Sequence, residues 1–426
     1  MIKMLSVLSL VSLSLMALTL DESVDAALEN SSKLSEIKLN KEIKKLHKEE
    51  KSGLQYGELS LVGSFDHYNL PRTLAPITPA SISPSTPTTQ DLFSLGLNYS
   101  VALFTGFAQT RNVEIEQLQV ESAISMENLT KEQIIYNVKN IYLSILSLDK
   151  QLQSLNDYFK AQSAFVDVIK EEVKLGKKAY IDELKAKNDL ESIKANRQTL
   201  LANKDILKAS LKYFINQDIN TLEDIGITVS KVEFDIANID SLDRLKVLDL
   251  SLQAIDKKVK IKESSYYPQV SLNGYFGENF GFNDATNVND GDFDSETIWQ
   301  VGVKLKYNLY DFGSRGASVE SAKVEKLQNS IKKEDMKREI TKDVTTALAK
   351  LNESISTYES TSSQFELLQE SAEIEQVRYE SGAATINDLL FINAQKELAR
   401  SKMIDSKYAY QKAIYYIEYI LEKGNK

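Results

Sequence analysis

The sequence predicts a mostly α-helical chain with a transmembrane β-barrel segment, built as two tandem copies of one plan. Three observations predict it. Matching residues stand 206 positions apart over a long stretch: Gly96 and Gly302, Leu103-Phe104 and Leu309-Tyr310, Val138 and Val344, Gly176 and Gly382, Asp182 and Asp388. Each copy also contains alternating strands of roughly the ~9–11 residues that a tilted membrane strand requires. Each then continues into an apolar heptad pattern far longer than a globular domain uses. An offset that runs without insertion over Leu103–Lys185 and Leu309–Phe391 is an internal repeat, and the remainder of the chain is organised around it.

Composition narrows the class. Apolar residues make up 42% of the 426 and charged residues 26%, which excludes wholesale disorder and a polytopic helical membrane protein. A net charge of −10, with no dense Lys/Arg cluster, argues against nucleic acid as a partner. The absence of cysteine removes disulfides, thiol nucleophiles, zinc fingers and a lipid-anchored cysteine together. With only His47 and His67 available, a histidine-based metal or catalytic site is not expected either.

Residues 1–17 place Lys3 before a Leu/Val/Ser run too short to span a bilayer, the pattern of a secretory signal peptide. Leu15, where a small residue is usual, makes the cleavage site imperfect, and an amphipathic helix is the plainer alternative. Repeat 1 then occupies 18–216, a linker or equatorial segment 217–240, and repeat 2 241–426.

Repeat 1 opens on a helical block to about Ser52, where Val24, Ala27, Leu34, Ile37, Ile43 and Leu46 recur among Lys and Glu. Two strands follow. In the second, Phe93, Leu95, Leu97, Tyr99, Val101 and Leu103 share one face, and Ser94, Gly96, Asn98, Ser100 and Ala102 the other. The intervening residues 66–91 hold five of the six prolines and read as an exposed loop. In repeat 2, Trp299, Val301, Val303, Leu305, Tyr307 and Leu309 oppose Gln300, Gly302, Lys304, Lys306 and Asn308. Phe93, Trp299, Phe104 and Tyr310 are candidates for lipid-facing aromatic girdles. Soluble sandwiches also alternate, but their strands do not feed directly into helices this long.

A short break, Thr105-Gly-Phe107 or Asp311-Phe-Gly313, opens each long helix. Val138, Ile145, Leu152, Phe159, Val166 and Val173 lie seven apart, as do Val344, Leu351, Tyr358, Phe365, Ala372 and Tyr379. From Ala108 to Leu175 such a helix would extend on the order of 100 Å at 1.5 Å per residue. Gly176 and Gly382 break the two helices, and shorter return helices follow. The helices preceding the strands are the natural extensions of those return helices, stacked end to end. The segment 218–240, with Ile225-Gly-Ile-Thr-Val229, joins the copies.

Taken together, Leu20–Asn30, Tyr267-Pro-Gln-Val-Ser-Leu272, Tyr307-Asn-Leu-Tyr-Asp-Phe-Gly-Ser-Arg315 and Arg378-Tyr-Glu-Ser-Gly382 with Asp388-Leu-Leu390 resemble the outer membrane efflux protein family, typified by TolC. The resemblance covers essentially the whole chain after the signal and rests on the order and spacing of its motifs. It implies a homotrimer with a 12-stranded barrel in outer-membrane lipid and an α-helical tunnel in the periplasm. It further implies passive conduction of cargo from an inner-membrane RND or ABC transporter through a periplasmic adaptor, as in efflux or type I secretion. Neither catalysis nor a cofactor is expected. Lys304, Lys306 and Asn98 would then line the barrel lumen.

The resemblance also points to the turn between helices as the channel entrance. The family's Tyr, Gly and first acidic residue match Tyr379, Gly382 and Asp388, whereas its Arg and second Asp are replaced by Ala384 and Phe391. Asp388 reads equally as a threefold acidic ring or as part of a helix N-cap. Lys178 with Asp182 is a candidate replacement for the lost arginine contact, Phe391 would make the constriction more apolar, and Tyr379 reads as seam packing. The run Asp290–Glu296 suggests calcium, but it lacks the spacing of an EF-hand and reads better as a solvated loop. A periplasmic adaptor would have one hairpin rather than two, and a trimeric coiled-coil adhesin would not repeat its strands mid-chain.

Overall fold

The structure is a computed structural model that describes residues 17–77, 82, 86–235, 239–284 and 292–424. The expected signal peptide therefore lies, except for Ala17, outside the described residues, as do Asp290 and Gly291 of the acidic run. Two compact units are present. One comprises the described parts of Met1–Ile37, Met126–Asp243 and Met336–Lys426; the other comprises Lys38–Ser125 and Arg244–Asp335.

In chain order, repeat 1 consists of α1 (Leu20–Asn30), α2 (Ser32–Gly53), β1 (Glu58–Thr73), β2 (Thr88–Phe104), α3 (Ala108–Lys174) and α4 (Tyr180–Ile215). Repeat 2 consists of α5 (Asp243–Glu263), β3 (Gln269–Phe282), β4 (Phe293–Lys306), α6 (Ser314–Glu380) and α7 (Ile386–Ile420). Both long helices have 67 residues, so the heptad register is maintained to the same length in each copy. One detail departs from expectation: the opening helical block is interrupted at Ser31. Its hydroxyl accepts from the Leu34 amide at 3.1 Å and starts α2 afresh.

The first unit is a helical assembly with a buried seam. Val138, Ile145, Val344 and Leu351 are all buried, as heptad a/d positions should be. The ends of the shorter helices abut. Asn30 at the end of α1 donates to the Ile215 carbonyl at the end of α4, and the Asp243 amide opening α5 donates to Glu422 beyond α7. Leu18 pairs with Leu222 in a parallel bridge, and the buried Tyr142 hydroxyl lies 2.8 Å from the carbonyls of both Leu18 and Glu223. Burial pushes the Tyr142 phenol up to about 12, so it stays a neutral donor at this junction. The Tyr410 hydroxyl donates to the Ser230 carbonyl at 2.9 Å and accepts from its amide at 3.3 Å, so the segment joining the copies is fastened by tyrosines from α3 and α7.

The second unit contains a four-stranded antiparallel sheet in the order β1-β2-β3-β4. Both strands of repeat 1 are longer than their sequence suggested. β1 extends to Thr73 through a register shift between His67 and Arg72, so much of the proline-bearing stretch belongs to the sheet. Among the described residues no helix is long and apolar enough to cross a membrane.

Candidate functional site

The two helix–helix turns lie in the first unit and share one backbone design. Gly176 and Gly382 adopt φ of +73° and +77°, a region where side chains with a Cβ are strained. The Lys177 amide reaches back to the Glu172 carbonyl at 2.8 Å, and the Ala383 amide to Arg378 at 2.7 Å. Bonds spanning three residues run from the Gly176 amide to Val173 at 3.0 Å and from the Gly382 amide to Tyr379 at 3.1 Å, which completes a Schellman motif at the end of each long helix.

Below the turns a single apolar cluster joins four helices: Val166 and Ile169 from α3, Ala186 from α4, Tyr379 from α6, and Ile386 and Leu389 from α7. Tyr379 is thus a packing residue, 9% exposed, set edge-on against Phe165 with ring centroids 5.7 Å apart. Its hydroxyl is buried without a hydrogen-bond partner, and the Lys178 ammonium sits 4.3 Å from its ring centroid. Burial raises the phenol's pKa, with Lys178 acting in the opposite direction. Lys178 therefore engages Tyr379, and no ion pair between Lys178 and Asp182 is present among the described residues. Ala384 is partly buried at the edge of the cluster.

Asp388 occupies the third residue of α7 and forms a capping box with Thr385. The Thr385 hydroxyl accepts from the Asp388 amide at 3.3 Å, and the Asp388 carboxylate accepts from the Thr385 amide at 3.0 Å. The Thr385 hydroxyl also donates to that carboxylate at 2.6 Å. These bonds, side chain first, hold the Asp388 carboxyl below the usual aspartate range. The carboxylate remains exposed, so capping leaves it available to solvent. In the first copy Ala179 takes the place of Thr385, and α4 has no side-chain cap. Phe391 is 65% exposed on α7, one turn beyond Asp388.

In the second unit the register sorts the strands into two faces. Leu61, Leu97, Phe276 and Trp299 form one cross-strand row, and Leu59, Tyr99, Gly274 and Val301 the next. This face is both apolar and open, with Trp299 73% exposed. Phe65, Phe93, Phe280 and Phe293 form a chain of ring contacts toward the end of the sheet distant from the helices, with centroids 4.7–5.7 Å apart. Phe104 meets Phe107, and Tyr310 meets Phe312, at the end nearer the helices.

The opposite face is polar: Asn98 stands in register with Ser60 and Tyr275, and Lys304 with Ser271. Gly96 and Gly277 pair there because Tyr275 lies across them; a Cβ on either would meet its ring or hydroxyl at 2.7 Å or less. Among the described residues no group of acidic or histidine side chains could hold a metal ion. In the remainder of the acidic run, Asp294 accepts from Asn283.

The fold of these elements is shared with known channels. The sequence profile described as outer membrane efflux protein matches residues 55–213 and 243–417, more than half of the chain. The chain belongs to the outer membrane efflux protein family. That family consists of channels and not enzymes. Among solved structures, the chain superimposes on CusC, studied for folding and transmembrane channel formation, with a TM-score of 0.81 and 15% identity, over 94% of this chain and 91% of that one. A membrane protein of Pseudomonas aeruginosa gives 0.80 at 18% identity, over 94% and 93%. The CmeC outer membrane channel of Campylobacter jejuni gives 0.78 at 16%, over 95% and 86%. At the level of sequence, nodulation protein T of Rhizobium leguminosarum bv. trifolii is 22% identical over 309 residues, 68% of this chain and 62% of that protein, so less than two thirds of that relative is spanned.

Within an efflux-protein fold, two features escaped the sequence reading, which did contain the Asp388 cap. Thr385 as the partner of Asp388 was legible, since Thr-x-x-Asp before an apolar run is a capping-box signature. The cation–ring contact of Lys178 with Tyr379 was not, because it joins different copies of the repeat. Nor was the support of the far end of the polar face, where Asn279 accepts from Ser94 and donates to the carbonyl of the buried Leu74.

Proposed function

We propose that this chain is one third of a passive export duct, conducting cargo delivered by an inner-membrane pump through a periplasmic adaptor. The observation that carries the reading is the sheet. Its four strands end in two unpaired edges and expose an apolar face that water would not tolerate, with a polar face behind it. Unpaired backbone groups cannot face hydrocarbon, so the sheet must close, and three copies of four strands supply a 12-stranded barrel. Leu59, Leu97, Phe276, Trp299 and Val301 then face lipid, with Phe93 toward one girdle, Phe104 and Tyr310 toward the other, and Trp299 midway along β4 rather than at a girdle. Asn98, Lys304 and Lys306 face the lumen.

The paired hairpins form the periplasmic tunnel, and their turns the entrance. Three copies of the exposed Asp388 carboxylate, kept ionised by its capping box, supply an acidic ring, with Phe391 adding an apolar rim. Ring and cap are thus two uses of one side chain. The test is single-channel conductance in planar bilayers, wild type beside Asp388→Ala, with divalent and trivalent cations on the entrance side. Discrete channels blocked by these cations, with block weakened about tenfold in the variant, are expected. Block that ignores the substitution would reduce Asp388 to a cap alone, and a correctly folded trimer without channel activity would sink the duct.

A further inference from the structure

The polar face of the sheet carries charge of opposite sign at its two ends. At the end nearer the helices, Lys304 stands in register with Ser271 and Ala102, and Lys306 with Gln269. Neither ammonium has an ion-pair partner among the described residues. One carboxylate, Glu58, shares their face, in the row Glu58, Ser100, Asn273 and Gly302. At the far end the same face carries Asp66, bonded to Ser64 at 2.9 Å, together with Asp294 and Glu296, which stand opposite Gly281 and Asn279.

The separation decides whether these ends act independently. Glu296 and Lys304 are eight residues apart on one strand, roughly 26 Å at ~3.3 Å per residue. That exceeds three screening lengths of ~8 Å at physiological ionic strength, so the far carboxylates do not neutralise the lysines. Three copies of the lysine pair against three copies of Glu58 leave a net positive band.

We propose that Lys304 and Lys306 form an anion-attracting collar at the junction of barrel and helices, which raises the passage of small anionic solutes through the duct. The proposal rests on the duct reading, since the polar face must line the lumen. A low-dielectric wall focuses the field of such a ring into the aqueous path, where a potential of about one kT changes local ion concentrations about two- to threefold. The collar also accounts for two lysines on a stretch of lumen face that is otherwise small and, apart from Glu58, uncharged, where the neighbouring residues are Ser100, Ala102, Ser271 and Gly302.

The experiment is the reversal potential of single channels in a KCl gradient, wild type beside Lys304→Gln/Lys306→Gln. The chloride-to-potassium permeability ratio is expected to fall about two- to threefold in the double variant. Ser271→Asp, which places a carboxylate opposite Lys304 without removing either lysine, should move the ratio the same way and serves if the double variant does not fold. The wild-type current–voltage curve should also be asymmetric in dilute KCl and straighten in 1 M, where the screening length is ~3 Å. Channels whose ratio is unmoved by both substitutions would overturn the collar and leave the lysines as guards of the β4 edge. Wild-type trimers that form no channel would overturn the duct and the collar with it.

Discussion

The two helix–helix turns began as copies of one sequence and have diverged in one respect only. The backbone is the same in both: a glycine at positive φ, a Schellman motif and a return helix that begins four residues after the glycine. The side chains are not. The second turn has Thr385 and a capping box where the first has Ala179 and no cap, and it buries Leu389 where the first buries Glu183, paired to Lys187 at 2.6 Å. The first turn contributes Lys178, which reaches across to Tyr379 of the other. Backbone geometry is conserved within the chain because the hairpin cannot reverse without it. The capping is free to differ: Asp388 is exposed and held in a capping box, while its counterpart Asp182 is partly exposed on a helix with no side-chain cap.

The sharpest way to break this comparison is to attack the cluster both turns share. Leu389→Ala, at 1% exposure, should cost about 2–5 kcal/mol and raise amide exchange in the first turns of α4 and α7 together. Exchange confined to α7 would show that the turns are stabilised separately. Next in size are Gly176→Ala and Gly382→Ala. A Cβ at either meets nothing within 4 Å, so the penalty is conformational alone, about 1–2 kcal/mol, and should be equal in the two copies. Unequal losses by chemical denaturation would mean that tertiary contacts, and not φ, set the requirement.

The smallest effect separates the copies. Thr385→Ala should lose about 1 kcal/mol at α7, while Ala179→Thr should gain a similar amount at α4 by installing the missing cap. The first of these changes also carries a pH signature. Because the folded-state pKa of Asp388 is lowered, its stabilisation is present above the ordinary aspartate range and disappears as pH falls through the lowered value. Exchange at the start of α7 should accelerate over that acidic window in the wild type and lose this dependence in Thr385→Ala.

Much of this was legible in the residues. The 206-residue offset carried the duplication, the heptads carried α3 and α6 to within one residue of their ends, and alternation carried the body of β2 and of β4, although β4 ends at Lys306 and leaves Tyr307, Asn308 and Leu309 outside the strand. The break at Ser31 and the extension of β1 past Pro71 were not read, because a serine within a helical pattern and a proline at an edge strand are each tolerated locally. At the turn, Asp388 was visible as cap and as carboxylate at once. The partner chosen by Lys178 was not, since Asp182 is four residues away in sequence and Tyr379 is 201.

What the sequence by itself determined, then, is everything that repeats at short range: the 3.5-residue seam, the two-residue alternation, the glycine stops and the identity of the two copies. Each depends on a periodicity or a dihedral that a few neighbouring residues impose. Only the tertiary structure decided how the copies use one another. It set Tyr379 and Leu389 in a core shared by four helices, put Lys178 over a ring from the other repeat, and brought Lys304 into register with Ser271 and, across the repeats, Ala102. Those outcomes depend on strand register and on the meeting of segments some 200 residues apart, which local sequence does not encode.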